Sequence, residues 1–308
     1  MKRALSVTFR ALLGVAFFTS GYAVGQTAKQ AAPSPGYEDR FITVNGLRIH
    51  YLDWGSNGKT PFIMLHGIGR VAHQFDHLAP YFKNDYHVIA VDMRGHGDSA
   101  WSPEAAYLVE DYVKDIEGMA EQLNLRGIVI LGNSTGGRVA QVYAALHPDR
   151  VSRLISEDVG PERTEDIASS LGRQFQREEN GWASEDELVA TLVKANAKTP
   201  EPILRSYAHF GSKTRADGRI VWKRDPNIAK GFVAMELWRF VSQIKTPTIY
   251  ILGGASRIVP PESQKQLRET VPGVQIVVMP GLGHYPDQEA TSDFVPILQA
   301  FLAGKNPA

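Results

Sequence analysis

One short stretch limits the folds open to this chain more than any other, the motif Gly-Asn-Ser-Thr-Gly at residues 132–136. An apolar run at residues 127–131 precedes it, and a run with helical spacing of apolar residues follows it. A strand that turns directly into a helix, with serine at the apex and glycine two residues to either side, is typical of a nucleophile elbow. Side chains at Gly132 and Gly136 would collide across so sharp a turn, so both positions need glycine. The motif predicts that Ser134 stands clear of a sheet, at the positive end of the following helix.

Length and composition indicate a globular protein with one large core. The chain has 308 residues, of which 43% are hydrophobic, and this is enough for one substantial core with an inserted lobe. The formal net charge is zero, which argues against nucleic acid as the main partner. There is no cysteine, so disulfides, thiolate nucleophiles and zinc–thiolate sites are excluded.

The N-terminus has the three-part pattern of a secretory signal peptide. Basic residues precede an apolar run at residues 11–18, and Ala23 and Gly25 are the small residues expected ahead of a cleavage site. The apolar run is too short for a comfortable membrane span, although an uncleaved N-terminal anchor is the alternative. We expect residues 1–25 to be a signal peptide and residues 26–36 a flexible leader. The mature protein is then periplasmic or secreted, with no stable membrane insertion.

Short apolar strands alternate with helical segments along most of the remaining chain. Because most of these strands are apolar on both faces, they predict a mainly parallel sheet that is covered on both sides. An Asn-Gly dipeptide at residues 45–46 predicts a tight hairpin ahead of this sheet. The alternation stops over residues 161–240, where the pattern is helical and charged with scattered aromatics. We therefore predict a core of residues 37–160 and 241–308, with residues 161–240 inserted as a helical cap over the ends of the strands.

Four motifs, taken in order, resemble those of the α/β-hydrolase superfamily, and the resemblance covers nearly all of the predicted mature domain. They are His66-Gly67 after an early strand, Asp-x-Arg-Gly-His-Gly-x-Ser at residues 92–99, the elbow at residues 132–136, and Gly-His-Tyr-Pro at residues 283–286. The resemblance implies an α/β-hydrolase fold, with a mainly parallel eight-stranded sheet, helices on both faces and an inserted helical cap. It also implies that His66 and residues 92–99 order loops and transfer no protons.

The resemblance assigns roles to the residues around Ser134. A hydroxyl is a poor nucleophile at neutral pH, so Ser134 needs a base, and in the family the matching residue is His284. The backbone N–H groups of Ile68 and Thr135 match the oxyanion hole, where fixed donors stabilise negative charge on the substrate oxygen. The expected reaction is acyl transfer through an acyl-enzyme on Ser134, which water activated by His284 then releases. Nothing in the sequence points to a metal or an organic cofactor.

The acid of the triad is where the sequence departs from the family pattern. Most relatives carry aspartate at the position that Ser256 occupies here. Haloalkane dehalogenases and zearalenone lactonases are similar in placing their acid one strand earlier, at the end of the strand before the one that leads to position 256. In this sequence that position falls on Asp158. Glu157 is the rival. Because neighbouring residues of an extended chain point to opposite sides, only one of the two can face His284. We predict Asp158 as the acid, with Glu157 or no working acid as alternatives.

Three functions remain open at this point. The first is a periplasmic or secreted serine hydrolase that cleaves a small-molecule ester or lactone. The second is hydrolysis of a carbon–carbon bond in a β-diketone-like metabolite, which the same fold performs with the same triad; the signal peptide counts against it. The third is a ligand-binding protein without turnover. This function remains open because Ser256 occupies the position where most relatives carry the acid of the triad. The serine at the elbow argues against dehalogenases and epoxide hydrolases of this fold, since those use aspartate there.

The predicted cap gives little information on the substrate. Its aromatic residues are suited to lining an apolar pocket, although aromatics in a helical lobe more often form its own core. Four of its basic residues are candidates for binding a carboxylate, but solvated surface is the commoner position for each; they are Arg173, Arg177, His209 and Arg215. The sequence leaves the substrate and the oligomeric state open.

Overall fold

A computed structural model describes residues 36–55 and 58–307. The predicted signal peptide and nearly all of the predicted leader lie outside these residues. Within the described part of the chain, no helix combines the length and the apolar character needed to cross a membrane.

A single large sheet organises the described residues. Their twelve strands are β1 (Glu38–Val44), β2 (Leu47–Asp53), β3 (Pro61–Leu65), β4 (His87–Val91), β5 (Ile128–Asn133), β6 (Val151–Glu157), β7 (Glu162–Arg163), β8 (Ser212–Thr214), β9 (Ile220–Trp222), β10 (Met235–Glu236), β11 (Thr248–Gly253) and β12 (Gln275–Met279). Eight of them form the sheet in the order β1-β2-β4-β3-β5-β6-β11-β12. The pairs β1–β2 and β2–β4 are antiparallel and the other neighbours are parallel. The predicted mainly parallel eight-stranded sheet is confirmed.

The predicted hairpin at the sheet edge is also confirmed. β1 and β2 pair from Val44↔Leu47 outwards, so the loop between them is the two residues Asn45 and Gly46. Both have positive φ angles, 51° and 76°, as a two-residue turn of this kind requires.

Helices cover both faces of the sheet. The helices of the described residues are α1 (Val109–Gln122), α2 (Thr135–Leu146), α3 (Glu165–Glu178), α4 (Glu185–Ala195), α5 (Glu201–Gly211), α6 (Ile228–Gly231), α7 (Trp238–Val241), α8 (Pro261–Thr270), α9 (Pro286–Glu289) and α10 (Thr291–Leu302). Alternate residues of β3 pack into two separate apolar cores. Ile63 and Leu65 lie in the core that α1 and α2 contribute to, while Phe62 and Met64 lie in the core that contains α10. Burial on both faces explains why this strand is apolar throughout.

The segment between β3 and β4 differs from the sequence prediction. The spacing of its apolar residues Phe75, Leu78, Ala79 and Phe82 is that of an amphipathic helix, but the chain instead forms two 3-10 turns, Ala72–Phe75 and Ala79–Tyr81. Phe75 and Phe82 are buried, as an amphipathic segment requires. Pro80 has no N–H to donate to a preceding carbonyl, so an α-helix cannot continue regularly through this position.

The chain between β6 and β11 contains α3 to α7 and two small two-stranded sheets, β7–β10 and β8–β9. The turn between β8 and β9 contains Gly218 at φ 83°, as its Asp-Gly sequence suggests. Three aromatic residues of this segment belong to one apolar cluster, which also includes Val71 from the loop after β3. Tyr207 stacks on Trp222 with ring centroids 4.6 Å apart, and Trp182 packs edge-on against Trp222 at 5.5 Å.

The turn between β5 and α2 is tightly packed against its surroundings. A Cβ atom on Gly132 would lie 2.3 Å from the carbonyl carbon of Gly136, and one on Gly136 would lie 2.2 Å from the carbonyl oxygen of Leu65. All of these are backbone atoms, which cannot move aside as a flexible side chain can. The collision predicted from the sequence is therefore present, and it involves β3 as well.

We expect Gly136→Ala to lower the free energy of unfolding by about 3 kcal/mol, because overpacking against rigid backbone is destabilising. The matched control is Gly172→Ala in α3, where a Cβ would meet nothing within 4 Å. Its free energy of unfolding should stay the same or rise by about 0.5 kcal/mol, since alanine favours a helix. Urea denaturation measures both. Equal stabilities for the two variants would contradict the prediction.

Candidate active site

Ser134 lies at the apex of the turn between β5 and α2, with φ 53° and ψ −118°. A non-glycine residue with positive φ is uncommon, and such strain persists only where the surroundings hold it. Here the backbone N–H of Ser134 donates to the carbonyl of Glu157 at 3.2 Å, and the carbonyl of Ser134 accepts from Arg138 N–H at 3.2 Å. The strained turn is thus fixed between the neighbouring strand β6 and the first turn of α2.

His284 lies in the loop between β12 and α9, and two sets of hydrogen bonds hold this loop. The side chain of Asn133, next to Ser134, donates to the carbonyl of His284 at 3.2 Å. The carboxylate of Glu289 accepts from the backbone N–H of Gly283 at 2.6 Å and of Tyr285 at 3.3 Å. Glu289 therefore orders the loop, and His284 is held beside the elbow.

Asp158 is the carboxylate that lies against His284. Its Oδ2 is 2.7 Å from Nδ1 of His284, and only 1% of Asp158 is exposed. The same Oδ2 accepts from the hydroxyl of Ser256 at 2.6 Å, and Oδ1 accepts from the backbone N–H of Gly253 at 2.9 Å. Ser256 stands where the family usually has its acid, so that position is used here to donate a hydrogen bond to the carboxylate.

Glu157 faces a different partner. Its Oε1 accepts from the backbone N–H of Asp287 at 3.0 Å, and both side chains are fully buried. Burial and the neighbouring carboxyl of Asp287 raise the pKa of Glu157 well above its usual value, and burial raises the pKa of Asp287 as well. The side chain of Glu157 binds Asp287 and not His284, so its position argues against it as the partner of His284.

The two backbone donors suggested by the sequence are the N–H groups of Thr135, directly after Ser134, and of Ile68, which lines the same cavity as Ser134. Thr135 begins α2, and Ile68 lies in the loop after β3. Among the described residues, neither of these N–H groups donates to a protein acceptor, whereas the next one, that of Gly136, donates to the carbonyl of His66 at 3.2 Å. Two N–H groups next to the serine are therefore free to bind a ligand oxygen.

Two buried histidines brace the loop that contains Ile68. Nε2 of His66 accepts from the backbone N–H of Met93, and Nε2 of His96 accepts from that of Gly69, both at 3.0 Å. Burial lowers the pKa of both imidazoles, that of His96 to about 3. Both rings are thus neutral and act as acceptors, which agrees with the structural role expected for His66.

One group in the described part of the chain has the spacing of a metal site, namely His50, Asp92 and Asp98. The carboxylate of Asp92 already accepts from His50 Nδ1 at 2.7 Å and from the backbone N–H groups of Ala72 and Asp98 at 2.6 and 2.9 Å. The oxygens of Asp92 are thus occupied by N–H donors, and these hydrogen bonds from His50, Ala72 and Asp98 order the loop after β4.

A cavity of about 950 Å³ lies over these residues, and both Ser134 and His284 line it. Its walls include the three packed aromatic residues Trp182, Tyr207 and Trp222. These residues therefore belong to one apolar cluster and line the cavity at the same time. The four basic residues that the sequence offered for carboxylate binding are exposed and do not line this cavity; they are Arg173, Arg177, His209 and Arg215.

Arg70 also lines the cavity, and the sequence analysis did not single it out. It follows His-Gly-Ile-Gly directly and lies two residues beyond Ile68. The sequence signal that could have identified Arg70 is its charge, because it lies so close to a loop that is expected to bind the substrate oxygen.

Comparisons with known proteins agree with this architecture. The family model of the alpha/beta hydrolase fold matches residues 60–286. The chain is similar to an sn-1-specific diacylglycerol lipase of Mus musculus, with 28% identity over 88% of this chain and 89% of the lipase. It is also similar to a 3-hydroxybutyrate-oligomer hydrolase of Cupriavidus necator, with 27% identity over 83% and 93% of the two chains. Among solved structures, an E-2-(acetamidomethylene)succinate hydrolase matches with a TM-score of 0.80 at 23% identity, over 87% of this chain and 99% of that one. The predicted fold class and the family resemblance are confirmed.

We expect Asp158→Asn to lower kcat/KM for p-nitrophenyl acetate by about 10³- to 10⁴-fold, because an amide cannot fix the imidazole tautomer or stabilise its charged form. Glu157→Gln is the matched control, since it makes the same change in the adjacent buried residue. It should change kcat/KM by no more than about threefold, because the side chain of Glu157 binds Asp287 and does not contact His284. A large loss in Glu157→Gln with little loss in Asp158→Asn would reverse the assignment.

A second prediction uses the contact between Ser256 and Asp158. In an Asp158→Asn background, Ser256→Asp restores a carboxylate at the position that the family usually employs. We expect this double variant to recover about tenfold or more of the lost kcat/KM, since the two positions share one hydrogen-bond network. Ser256→Asn in the same background has the same shape without the charge and should recover nothing. Equal activities for the two double variants would show that Ser256 lies outside the functional network.

Proposed function

The chain belongs to the α/β-hydrolase fold family, and from this premise we propose that it is a serine hydrolase that cleaves a carboxylic ester or lactone. The observation that supports this most strongly is one arrangement of three side chains. Ser134 and His284 line one cavity, and the far nitrogen of the imidazole, Nδ1, lies 2.7 Å from the buried carboxylate of Asp158. This is the order of groups that activates a serine hydroxyl.

The proposed steps follow from which group can attack the substrate and which groups can accept or donate a proton. The hydroxyl oxygen of Ser134 attacks the substrate carbonyl while Nε2 of His284 accepts the hydroxyl proton. Asp158 accepts a hydrogen bond from Nδ1–H and stabilises the imidazolium that forms. The imidazolium then protonates the leaving alcohol, which leaves an acyl group on Ser134. Water, deprotonated by His284, then attacks that acyl group. The bond between the acyl carbon and Oγ of Ser134 breaks, the imidazolium returns its proton to Oγ, and the carboxylic acid is released.

The backbone supports the charge that develops on the carbonyl oxygen. The N–H groups of Ile68 and Thr135 are unoccupied by protein acceptors among the described residues. Thr135 is the first residue of α2, where the helix dipole favours negative charge. Each such donor is worth about 3 kcal/mol of transition-state stabilisation, because it is already oriented before the reaction begins.

The relatives support hydrolysis as the reaction class. Two proteins similar to this chain are named as a lipase and as an oligomer hydrolase. Lipases act on carboxylic esters, so the ester or lactone is the first substrate class to test.

For the location of the reaction we propose the periplasm or the cell exterior. The support is the basic, apolar and small-residue pattern of residues 1–25, which is that of a signal peptide. These residues lie outside the described part of the chain.

We expect an active-site fluorophosphonate to label the wild-type protein and to leave Ser134→Ala unlabelled. Turnover of p-nitrophenyl acetate should fall about 10⁴-fold or more in the same variant, because no other nucleophile is provided. Ser292→Ala, an exposed position in α10, is the matched control and should keep both labelling and turnover. Intact-protein mass spectrometry and absorbance assays measure the two effects.

Two other outcomes identify the competing functions. A wild-type protein that takes no label and turns over no ester would favour a ligand-binding protein. Labelling together with cleavage of a β-diketone, and none of esters, would favour carbon–carbon bond hydrolysis.

A further inference from the structure

Arg70 is a buried cation without an acidic partner. It lies in the loop after β3, lines the cavity together with Ser134 and His284, and is only 6% exposed. Among the described residues, no carboxylate forms an ion pair with it; its one side-chain hydrogen bond runs from Nε to the hydroxyl of Tyr285, at 3.3 Å. A buried guanidinium without a counter-ion is unfavourable unless a ligand supplies the charge.

Two tyrosines hold the guanidinium in place. Its central carbon lies 4.2 Å from the ring centroid of Tyr207 and 4.2 Å from that of Tyr285. The hydroxyl of Tyr207 is itself fixed, because it donates to the carbonyl of Gly69 at 2.7 Å. Neither terminal nitrogen of Arg70 donates to an acceptor in the described part of the chain, and Nη1 is buried without a partner. The planar pair of terminal N–H groups matches the two oxygens of a carboxylate.

The unpaired guanidinium belongs to a side chain that runs next to the reacting groups. A Cβ atom on Gly67 would lie 3.3 Å from Cβ of Ser134 and 3.9 Å from Cγ of Arg70, so Cγ of Arg70 lies within about 7 Å of Cβ of Ser134. Tyr285 follows His284 directly, and the two rings are 4.9 Å apart between centroids. An anion bound at Arg70 is therefore within reach of a small molecule whose ester group lies at Ser134.

The other charged residues nearby do not neutralise Arg70. Arg224, which also lines the cavity, is paired with Glu178 at 2.8 Å and so has its own counter-ion. Arg138, a third cavity residue, donates to the backbone carbonyl of Glu162 at 2.6 Å and forms no ion pair among the described residues.

Two carboxylates near Arg70 do not pair with it. Asp166 also lines the cavity, but it is exposed and forms no ion pair with Arg70. Asp287 attracts Arg70 electrostatically, but it forms no ion pair with Arg70, and its Oδ2 instead lies 3.5 Å from Nε2 of His77.

We propose that Arg70 binds an ionised carboxylate of the substrate, so that the preferred substrates contain a free carboxylate in addition to the ester or lactone that is cleaved. This inference rests on the proposed function for its reaction and adds the chemical class of the substrate. The proposed carboxylate site restricts the substrate class that the sequence predicts to esters and lactones with a free carboxylate, since a wholly apolar substrate would leave the guanidinium buried and unpaired.

The test compares matched pairs of small esters. One pair places the carboxylate in the acyl part, with mono-p-nitrophenyl glutarate against p-nitrophenyl butyrate. The other places it in the alcohol part, with 4-acetoxybenzoate against phenyl acetate. In at least one pair, Arg70→Gln should lower kcat/KM for the anionic ester about 10- to 100-fold more than for the neutral one, the usual effect of a lost charge-assisted hydrogen bond. The pair that responds shows where the carboxylate lies.

Two controls separate a binding role from a structural one. Arg239→Gln removes an exposed arginine that also stacks on an aromatic ring, Phe240, and should change no ratio within a pair. Fluorophosphonate labelling of Ser134 in Arg70→Gln shows whether the site is intact, and Arg70→Lys provides a second variant if the glutamine variant fails to fold. The lysine variant retains the charge without the planar pair of donors and should show a smaller loss.

Equal losses for both members of both pairs would overturn the proposal, because Arg70 would then only support the loop. Direct binding tests it without turnover: glutarate or benzoate should raise the melting temperature of Ser134→Ala but not of Ser134→Ala with Arg70→Gln. An unlabelled wild type that is still stabilised by these anions would refute the hydrolase and retain the carboxylate site. A labelled, active enzyme that is stabilised by neither anion and shows no preference within either pair would support the hydrolase and refute the carboxylate site.

Discussion

The site depends on one buried carboxylate that joins three segments of the sheet edge. Asp158, just after β6, accepts hydrogen bonds from Gly253 at the end of β11, from Ser256 in the loop after it, and from His284 in the loop after β12. These strands are parallel neighbours, so their carboxyl ends meet at the same edge. A carboxylate buried there needs every one of these donors, and in return it fixes the relative positions of the loops that supply them.

Strain in the backbone accompanies this arrangement at two points. Ser134 and Asp158 are both among the five non-glycine residues with positive φ in the described part of the chain, at 53° and 41°. They follow adjacent parallel strands, and each is tied to a neighbouring strand by its backbone N–H, Ser134 to Glu157 and Asp158 to Ile251. These positive φ angles are unfavourable in isolation, and the pairing of the strands holds them here. As a result, the side chains of Ser134 and Asp158 take positions that they would not have on an extended strand.

Local patterns were sufficient to predict the fold and to name most residues of the candidate site. They did not predict the contacts between distant segments. Strand alternation and the ordered motifs predicted the sheet, and the position after β6 singled out Asp158. The extended-chain argument ends at Glu157, however, because the chain bends at Asp158 itself. The shared burial of Glu157 with Asp287, and the packing of Arg70 against Tyr207 and Tyr285, join residues more than a hundred positions apart. Sequence periodicity and motifs carry no information about contacts between such distant residues, so only the structure shows them.

The serine at position 256 follows from the location of the acid. Its hydroxyl and His284 Nδ1 both bind the same oxygen of Asp158, at 2.6 and 2.7 Å, so the side chain at 256 is in contact with that carboxylate. A second carboxylate in this position would repel the first, and one of the two would have to take up a proton. A hydroxyl instead donates a hydrogen bond and adds no charge. Aspartate at 158 and serine at 256 are therefore physically coupled choices: with serine at 256, the carboxyl group of Asp158 accepts hydrogen bonds from both Ser256 and His284 and has no second carboxyl group beside it at that position.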